Sequence, residues 1–180
     1  MRCSSGNESP TPAQLGNSSD VLAAPILESR VMTSNDTPSN NPSPESAQSP
    51  IEVVQRIYGA FGRNDMPGLF ALLHPEIDWS VTVTAPGGEL VPMLLHGVGH
   101  SAVEAYFGGV AQLEFHVFDV ARCFIDGDAV VAEIHLDATH RVTGKRAVLD
   151  ELHLWAVRDG LAVRFRPFVD TAALIELFRP

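Results

Sequence analysis

Four long segments in the second half of the chain are joined by very short turns, and this spacing restricts the fold more than any other feature. Each segment alternates apolar with other residues, which is typical of a β-strand. Turns this short cannot connect parallel strands, so each strand must run antiparallel to the next. The segments span residues 115–125, 129–140, 147–157 and 161–169, and the turns are Asp126-Gly127-Asp128, Thr143-Gly144-Lys145 and Arg158-Asp159-Gly160.

Helical patterns precede and follow these strands. Pro50 suits the first turn of a helix, and apolar residues recur after it with helical spacing. Asp65 is positioned to cap a second, short helix, and a third begins near Ser101. Residues 77–84 alternate as a further strand, and residues 171–178 form a closing helix. This order predicts an α+β fold in which a curved antiparallel sheet packs on three N-terminal helices.

Residues 1–50 differ in composition from the rest of the chain. They contain 7 of the 13 prolines and 11 serines, but none of the 13 aromatic residues. Such a segment cannot bury enough apolar surface to offset the entropy lost on ordering. We therefore expect residues 1–50 to be a disordered tail and residues 51–180 to be one domain. The sequence leaves open whether translation begins at Met1 or at Met32.

The charge balance excludes several classes of partner. With 12 Lys and Arg against 22 Asp and Glu, the net charge is −10, so the clustered basic residues that bind nucleic acid are missing. No apolar run reaches the roughly 18 residues that a membrane span needs. Cys3 and Cys123 lie in parts of different composition, which does not indicate a disulfide framework. We expect a cytoplasmic protein that binds neither nucleic acid nor membranes.

Several short motifs follow one another along residues 51–180. They are Tyr58-Gly59-Ala60-Phe61, Leu72-Leu73-His74-Pro75-Glu76-Ile77-Asp78-Trp79, Gly99-His100-Ser101-Ala102-Val103, Trp155-Ala156-Val157-Arg158-Asp159-Gly160 and Arg164-Phe165-Arg166-Pro167-Phe168-Val169-Asp170. Their order and spacing resemble the NTF2-like superfamily, in its SnoaL-like polyketide cyclase and ketosteroid isomerase-like branch. The resemblance implies a cone-shaped α+β barrel that encloses a small-molecule pocket and is usually dimeric.

The residues of two related enzymes do not carry over. By the resemblance, the aspartate base of ketosteroid isomerase falls on Val81 and its oxyanion-binding aspartic acid on His153. The catalytic tyrosine of that enzyme falls on Ile57, with Tyr58 beside it. The three catalytic positions of limonene-epoxide hydrolase hold Ile134, Leu136 and Pro167. SnoaL-type cyclases need only one acid/base group in a shaped apolar pocket, and this chain can supply that.

His153 is the predicted catalytic residue. Alternation places Glu151, His153 and Trp155 on one face of their strand, and the resemblance makes that face the inner one. An imidazole titrates near neutral pH and can polarise a ligand oxygen. The alternative is a core histidine that bonds to Tyr58 or to a backbone carbonyl.

The predicted pocket lining is largely aromatic. Arg164 and Arg166 are expected to face outward, toward the face that carries Glu133, His135 and Asp137, where they would form ion pairs or a dimer contact. The residues predicted to line the pocket are Tyr58, Trp79, Val81, His96, Tyr106, Trp155 and Phe165.

No cofactor or metal is expected. His96 and His100 are four residues apart, but Gly97 and Gly99 disfavour the helix that would bring both to one metal ion, and no strand–GxGxxG–helix unit is present. Two functions stay open. One is an acid/base isomerase, cyclase or hydrolase-type enzyme that acts on an apolar carbonyl-bearing substrate. The other is a non-catalytic ligand-binding or dimerisation module of the same fold. In both cases a small apolar molecule and a homodimer are the expected partners.

Overall fold

The structure is a computed structural model that describes residues 30–31, 48–81 and 86–180. Within these residues, the helices are α1 (Pro50–Gly62), α2 (Met66–Phe70), α3 (His100–Val110) and α4 (Thr171–Phe178). The strands are β1 (Arg30–Val31), β2 (Leu73–Trp79), β3 (Gly97–Val98), β4 (Leu113–Asp126), β5 (Ala129–His140), β6 (Arg146–Arg158) and β7 (Leu161–Phe168). Two short 3₁₀ turns, Gly88–Leu90 and Pro92–Leu94, lie between β2 and β3.

The strands form one mixed sheet in the order β1-β4-β5-β6-β7-β2-β3. Consecutive strands from β4 to β7 are antiparallel, as the short turns predict. β2 lies beside β7 and β1 lies beside β4, and both of these pairs are parallel. The sheet is curved and does not close on itself. The predicted α+β fold, with a curved sheet packed on helices, is confirmed.

Local sequence determines where the elements begin and end. Ser49 and Glu52 form a capping box at the start of α1, with Pro50 in its first turn. Asn64 has a φ of 54° just beyond the end of this helix. Asp159 and Gly160 have φ angles of 51° and 76°, the positive pair that a two-residue hairpin turn requires between β6 and β7.

The first long strand and the tail differ from the predictions. β2 spans Leu73–Trp79 rather than residues 77–84, so it begins earlier and includes Pro75. The strand tolerates this proline because its register with β7 shifts between Leu73 and Asp78, where ladder hydrogen bonds are interrupted. Within the predicted tail, Arg30–Val31 pairs with β4, and the rest of residues 1–47 lies outside the described residues.

The core lies between the inner face of the sheet and the helices. α1 packs across β4 to β7, and α4 packs against β5 and β6. The predicted charge pairing on the outer face occurs, but Arg164 pairs with Asp78 of β2, at 3.0 Å, and not with a residue of β5. Glu133 of β5 pairs with Arg122 of β4, at 2.6 Å. No helix among the described residues is long and apolar enough to cross a membrane.

Candidate functional site

A cavity of about 80 Å³ lies between the sheet and the helices. Its walls come from α1, α3, α4 and the inner faces of β2 and β4 to β7, and most of the lining side chains are aromatic or aliphatic. Glu151 and His153 also line it, and none of its described lining residues is a lysine or an arginine. An apolar organic group therefore suits this cavity, and Glu151 is placed to set its local charge.

Most of the predicted pocket residues meet around this cavity. The structure brings together Tyr58, Trp79, Tyr106, His153, Trp155 and Phe165. It does not bring in Val81, which is buried just beyond the end of β2, or His96, which is exposed just before β3. The difference at Val81 has a clear cause. β2 ends at Trp79, so the alternation of inner and outer faces does not continue to residue 81.

Strand register places three large aromatic side chains side by side on the inner face. Phe165 of β7 pairs with Trp79 of β2 on one side and with Trp155 of β6 on the other. The Phe165 ring centroid is 4.3 Å from that of Trp79 and 4.4 Å from that of Trp155. It is also 5.0 Å from the ring of His153. These rings form a rigid wall that positions the polar groups beside it.

A chain of hydrogen bonds connects the polar groups of the cavity. Trp155 Nε1–H donates to the Tyr58 hydroxyl oxygen at 2.9 Å, and the same hydroxyl lies 2.9 Å from Nδ1 of His153. The other ring nitrogen of His153, Nε2, lies 3.2 Å from Oε2 of Glu151. The side chains of His153 and Glu151 are only 6% and 8% exposed. Both ring nitrogens of His153 are therefore engaged by protein groups.

The donors and acceptors in this chain define one consistent arrangement of protons. The Trp155 indole can only donate, so the Tyr58 oxygen accepts from it. The Tyr58 O–H then donates to Nδ1 of His153, which leaves the ring proton on Nε2 to donate to the Glu151 carboxylate. Burial raises the pKa of Tyr58 well above its ordinary value, so its hydroxyl keeps its proton.

Glu151 is the functional candidate that sequence reasoning missed. Its Oε2 bonds to His153, whereas none of the hydrogen bonds among the described residues uses Oε1. A buried carboxylate with one fixed and one unpaired oxygen is suited to accept a proton from a ligand. The signal was present, because alternation along β6 puts Glu151 on the same face as His153 and Trp155.

Two further polar groups of the cavity have no partner among the described residues. Nε1 of Trp79 is buried and makes no hydrogen bond there. The Tyr106 hydroxyl takes part in none of the hydrogen bonds found in the described part of the chain. Burial, and to a lesser extent the nearby charge of Glu151, raise the pKa of Tyr106, so it remains a donor.

The two histidines considered for a metal site do not form one. His100 begins α3, and its Nε2 lies 3.3 Å from the carbonyl oxygen of Leu73. His96 is exposed before β3. Across residues 30–31, 48–81 and 86–180, no group of three or more His, Cys, Asp or Glu side chains could hold a metal ion.

Comparison with known proteins agrees with this fold and cavity. The sequence profile of the SnoaL-like domain matches residues 54–165, so the chain belongs to the SnoaL-like domain family. Comparison with curated proteins gives no match.

Solved structures with the same fold include NTF2-like proteins. One, an NTF2-like protein of unknown function from Burkholderia pseudomallei K96243, is 28% identical, covers 73% of this chain and 98% of its own, and has a TM-score of 0.61. TerC, co-crystallised with polyporic acid, is 26% identical, covers 72% of this chain and 97% of its own, and has a TM-score of 0.59. A protein from Mesorhizobium loti named as a candidate SnoaL-like polyketide cyclase is 19% identical, covers 67% of this chain and 99% of its own, and has a TM-score of 0.55.

Proposed function

We propose that this protein is an enzyme that moves a proton at the carbon beside a carbonyl group of an apolar substrate. The observation that carries the proposal is the state of Glu151. One of its oxygens is held by His153, and the other is unpaired beside an aromatic cavity. Proton transfer of this kind is the step shared by isomerisation and carbon–carbon cyclisation of carbonyl compounds.

In the proposed reaction, Oε1 of Glu151 takes the proton from the α-carbon of the substrate. The electron pair of that C–H bond moves toward the carbonyl, whose oxygen gains the negative charge of an enolate. Glu151, now protonated, returns the proton to another carbon in an isomerisation. In a cyclisation, the enolate carbon attacks a second carbonyl, and the resulting alkoxide takes the proton. Hydrogen-bond donors within a dry cavity stabilise the enolate oxygen more strongly than water does.

His153 has a different role from the direct one that its position first suggests. Both of its ring nitrogens are bonded to protein groups, so it acts on the substrate through Glu151 and Tyr58. Its Nε2–H holds the Glu151 carboxylate in place, and the Tyr58 hydroxyl fixes the ring tautomer. His153 is therefore a positioning residue in this proposal, and Glu151 is the catalytic base.

Names of similar proteins give limited support. One similar structure is named as a candidate polyketide cyclase and another as a candidate isomerase, at 19% and 15% identity. TerC, at 26% identity, was crystallised with polyporic acid, so that compound belongs in any ligand panel for this chain.

Hydrogen–deuterium exchange tests the proposal without knowledge of the natural substrate. Acetophenone and 1-tetralone are incubated with the protein in D₂O, and the loss of the α-C–H signal is followed by NMR. We expect exchange faster than in buffer, with the rate proportional to protein concentration. Ketones that bind, as shown by a thermal shift, but exchange no faster than in buffer would contradict the enzyme proposal.

The alternative is a binding module without catalysis. It is favoured by the hydrophobic residue Val81 at the position where ketosteroid isomerase has its base, and by the engagement of both nitrogens of His153. The same experiment separates the two functions, because a binding module gives a thermal shift without exchange.

We also propose that the protein is a homodimer. Support comes from exposed apolar side chains on the outer face of the sheet, including Phe124, Leu152 and Phe168, which are 46%, 45% and 49% exposed. Leu152 and Phe168 are directly paired across β6 and β7, so they form one continuous patch. Light scattering should give twice the mass of the chain, and Leu152→Glu should give the mass of a monomer.

A further inference from the structure

Trp79 carries a buried hydrogen-bond donor that the described part of the protein leaves unused. The side chain is 2% exposed, and its Nε1 has no hydrogen-bond partner among the described residues. The other tryptophan, Trp155, donates its Nε1–H to Tyr58. Buried donors in proteins nearly always have a partner, because an unsatisfied one loses the free energy of its bonds to water. A donor left unpaired in a cavity wall is most simply explained by a ligand that completes it.

The surroundings of Trp79 place this donor at the cavity. Its ring lies 4.3 Å from Phe165 and 5.2 Å from Tyr106, measured between centroids, and all three residues line the cavity. The Tyr106 hydroxyl, a second donor on this side, takes part in none of the hydrogen bonds among the described residues. This wall therefore offers donors to a ligand, whereas Glu151 offers an acceptor.

The charges around the cavity restrict the ligand further. Glu151 is the one carboxylate among the described lining residues, which include no lysine or arginine. A carboxylate ligand would bring a second negative charge close to Glu151 with no cation to offset it, and this is costly where water is excluded. The acceptor on the ligand is therefore a neutral oxygen.

We propose that the indole N–H of Trp79 binds the carbonyl oxygen of a neutral ketone or enone, and that the cavity rejects carboxylates of the same size. This inference rests on the proposed function and deepens it, since it names the substrate class and the residue that anchors it. In this arrangement the carbonyl oxygen lies at Trp79 and the α-carbon is left for Glu151. The N–H then also stabilises the enolate oxygen formed when the proton leaves.

Three probes of nearly the same shape test the proposal by NMR. They are acetophenone, α-methylstyrene, in which a CH₂ group replaces the carbonyl oxygen, and benzoate. The chain has two tryptophans, so the ¹⁵N-labelled protein gives two indole signals, assigned with Trp79→Phe or, if that variant does not fold, with Trp155→Phe. We expect saturating acetophenone to move the Trp79 N–H signal downfield and to slow its exchange with water. α-Methylstyrene should not move it in this way, and benzoate should not bind.

A matched pair of variants tests the same bond by affinity. Trp79→Phe removes the N–H, so the ratio of acetophenone to α-methylstyrene affinity should fall roughly five- to tenfold. Phe107→Leu reshapes the wall next to Trp79 without removing a donor, and it should leave that ratio unchanged. Glu151→Gln should allow benzoate to bind.

Several results would overturn the inference: no binding of acetophenone, an unmoved Trp79 signal at saturation, or an equal ratio in the two variants. Benzoate bound as tightly as acetophenone by the wild-type protein would do the same. These readouts do not depend on turnover. If Trp79 responds to the ketone but no α-carbon exchanges, the anchor is correct and the proposed reaction is wrong. Exchange without a Trp79 response has the opposite meaning.

Discussion

The hydroxyl oxygen of Tyr58 lies 2.9 Å from Nδ1 of His153, and this contact joins the middle of α1 to the inner face of β6. The same oxygen accepts the indole N–H of Trp155, two residues further along β6. A single hydroxyl from a helix thus fixes the positions of two strand residues. Through His153 it also orients Glu151, the residue proposed as the base.

Tyr58→Phe should lower both stability and activity. The change leaves the indole N–H of Trp155 and one ring nitrogen of His153 without their partner in a buried site. We expect a loss of about 1–3 kcal/mol in the free energy of unfolding, measured by urea denaturation. The α-carbon exchange rate should also fall, because His153 is no longer held in one tautomer.

Tyr106→Phe is the matched control for this prediction. It removes a hydroxyl from the same cavity, but one that makes no hydrogen bond among the described residues, so its stability should stay within about 0.5 kcal/mol of wild type. Equal losses in the two variants would show that the hydrogen bonds of Tyr58 do not contribute to stability.

The ion pair between Asp78 and Arg164 predicts a specific pH dependence. Hydrogen bonds from the Ser80 hydroxyl and from Arg164 lower the pKa of Asp78 below its ordinary value of 3.8. The folded state therefore favours the charged form. Its contribution is present above pH 3.8 and is lost as the pH falls through the folded-state pKa. Asp78→Asn should be less stable than wild type at neutral pH, by less than about 1 kcal/mol since the pair is partly exposed.

The measurement is urea denaturation of wild type and Asp78→Asn over a range of pH. The stability difference should shrink steadily as the pH falls below 3.8. Glu104→Gln, a change at an exposed carboxylate on α3, should show no such convergence. A difference between wild type and Asp78→Asn that stays constant down to acidic pH would contradict the assignment.

Removal of residues 1–47 should leave a folded domain with its cavity. The capping box at Ser49 that starts α1 is kept, and every cavity-lining residue lies at or beyond Ile57. The lost contact is the pairing of Arg30–Val31 with β4, so we expect a decrease of no more than about 2 kcal/mol in the free energy of unfolding. Acetophenone affinity should be unchanged. Failure of the shortened chain to fold would place the domain boundary earlier than residue 50.

The fold could be predicted from the sequence where local signals were strong. β5 spans Ala129–His140 and α4 spans Thr171–Phe178, as predicted, because turn residues and capping residues mark their ends. Strand β2 was misplaced since Pro75 reads as a break, and only its position beside β7 shows that a register shift accommodates the proline. The parallel pairing of β2 with β7 joins segments far apart in the chain, where no turn gives a local signal.

The candidate site could be predicted only as a face of a strand. Alternation placed His153 and Trp155 together, and the helical spacing of Tyr58 turned it toward the sheet. The hydrogen bonds of His153 depend on side-chain rotamers and on how close α1 lies to β6, and a sequence pattern contains neither. For that reason Glu151 was missed, although it lies two residues from His153 on the same strand.

Glu151→Gln tests the central claim most directly. The amide keeps the shape of the side chain but cannot accept the proton, so α-carbon exchange of acetophenone should fall by at least about 100-fold. Glu133→Gln, on the outer face of β5, is the control and should exchange at the wild-type rate. Thermal shifts with acetophenone should show that the ketone still binds both variants. Exchange by Glu151→Gln at the wild-type rate would contradict the proposal that Glu151 is the base of this cavity.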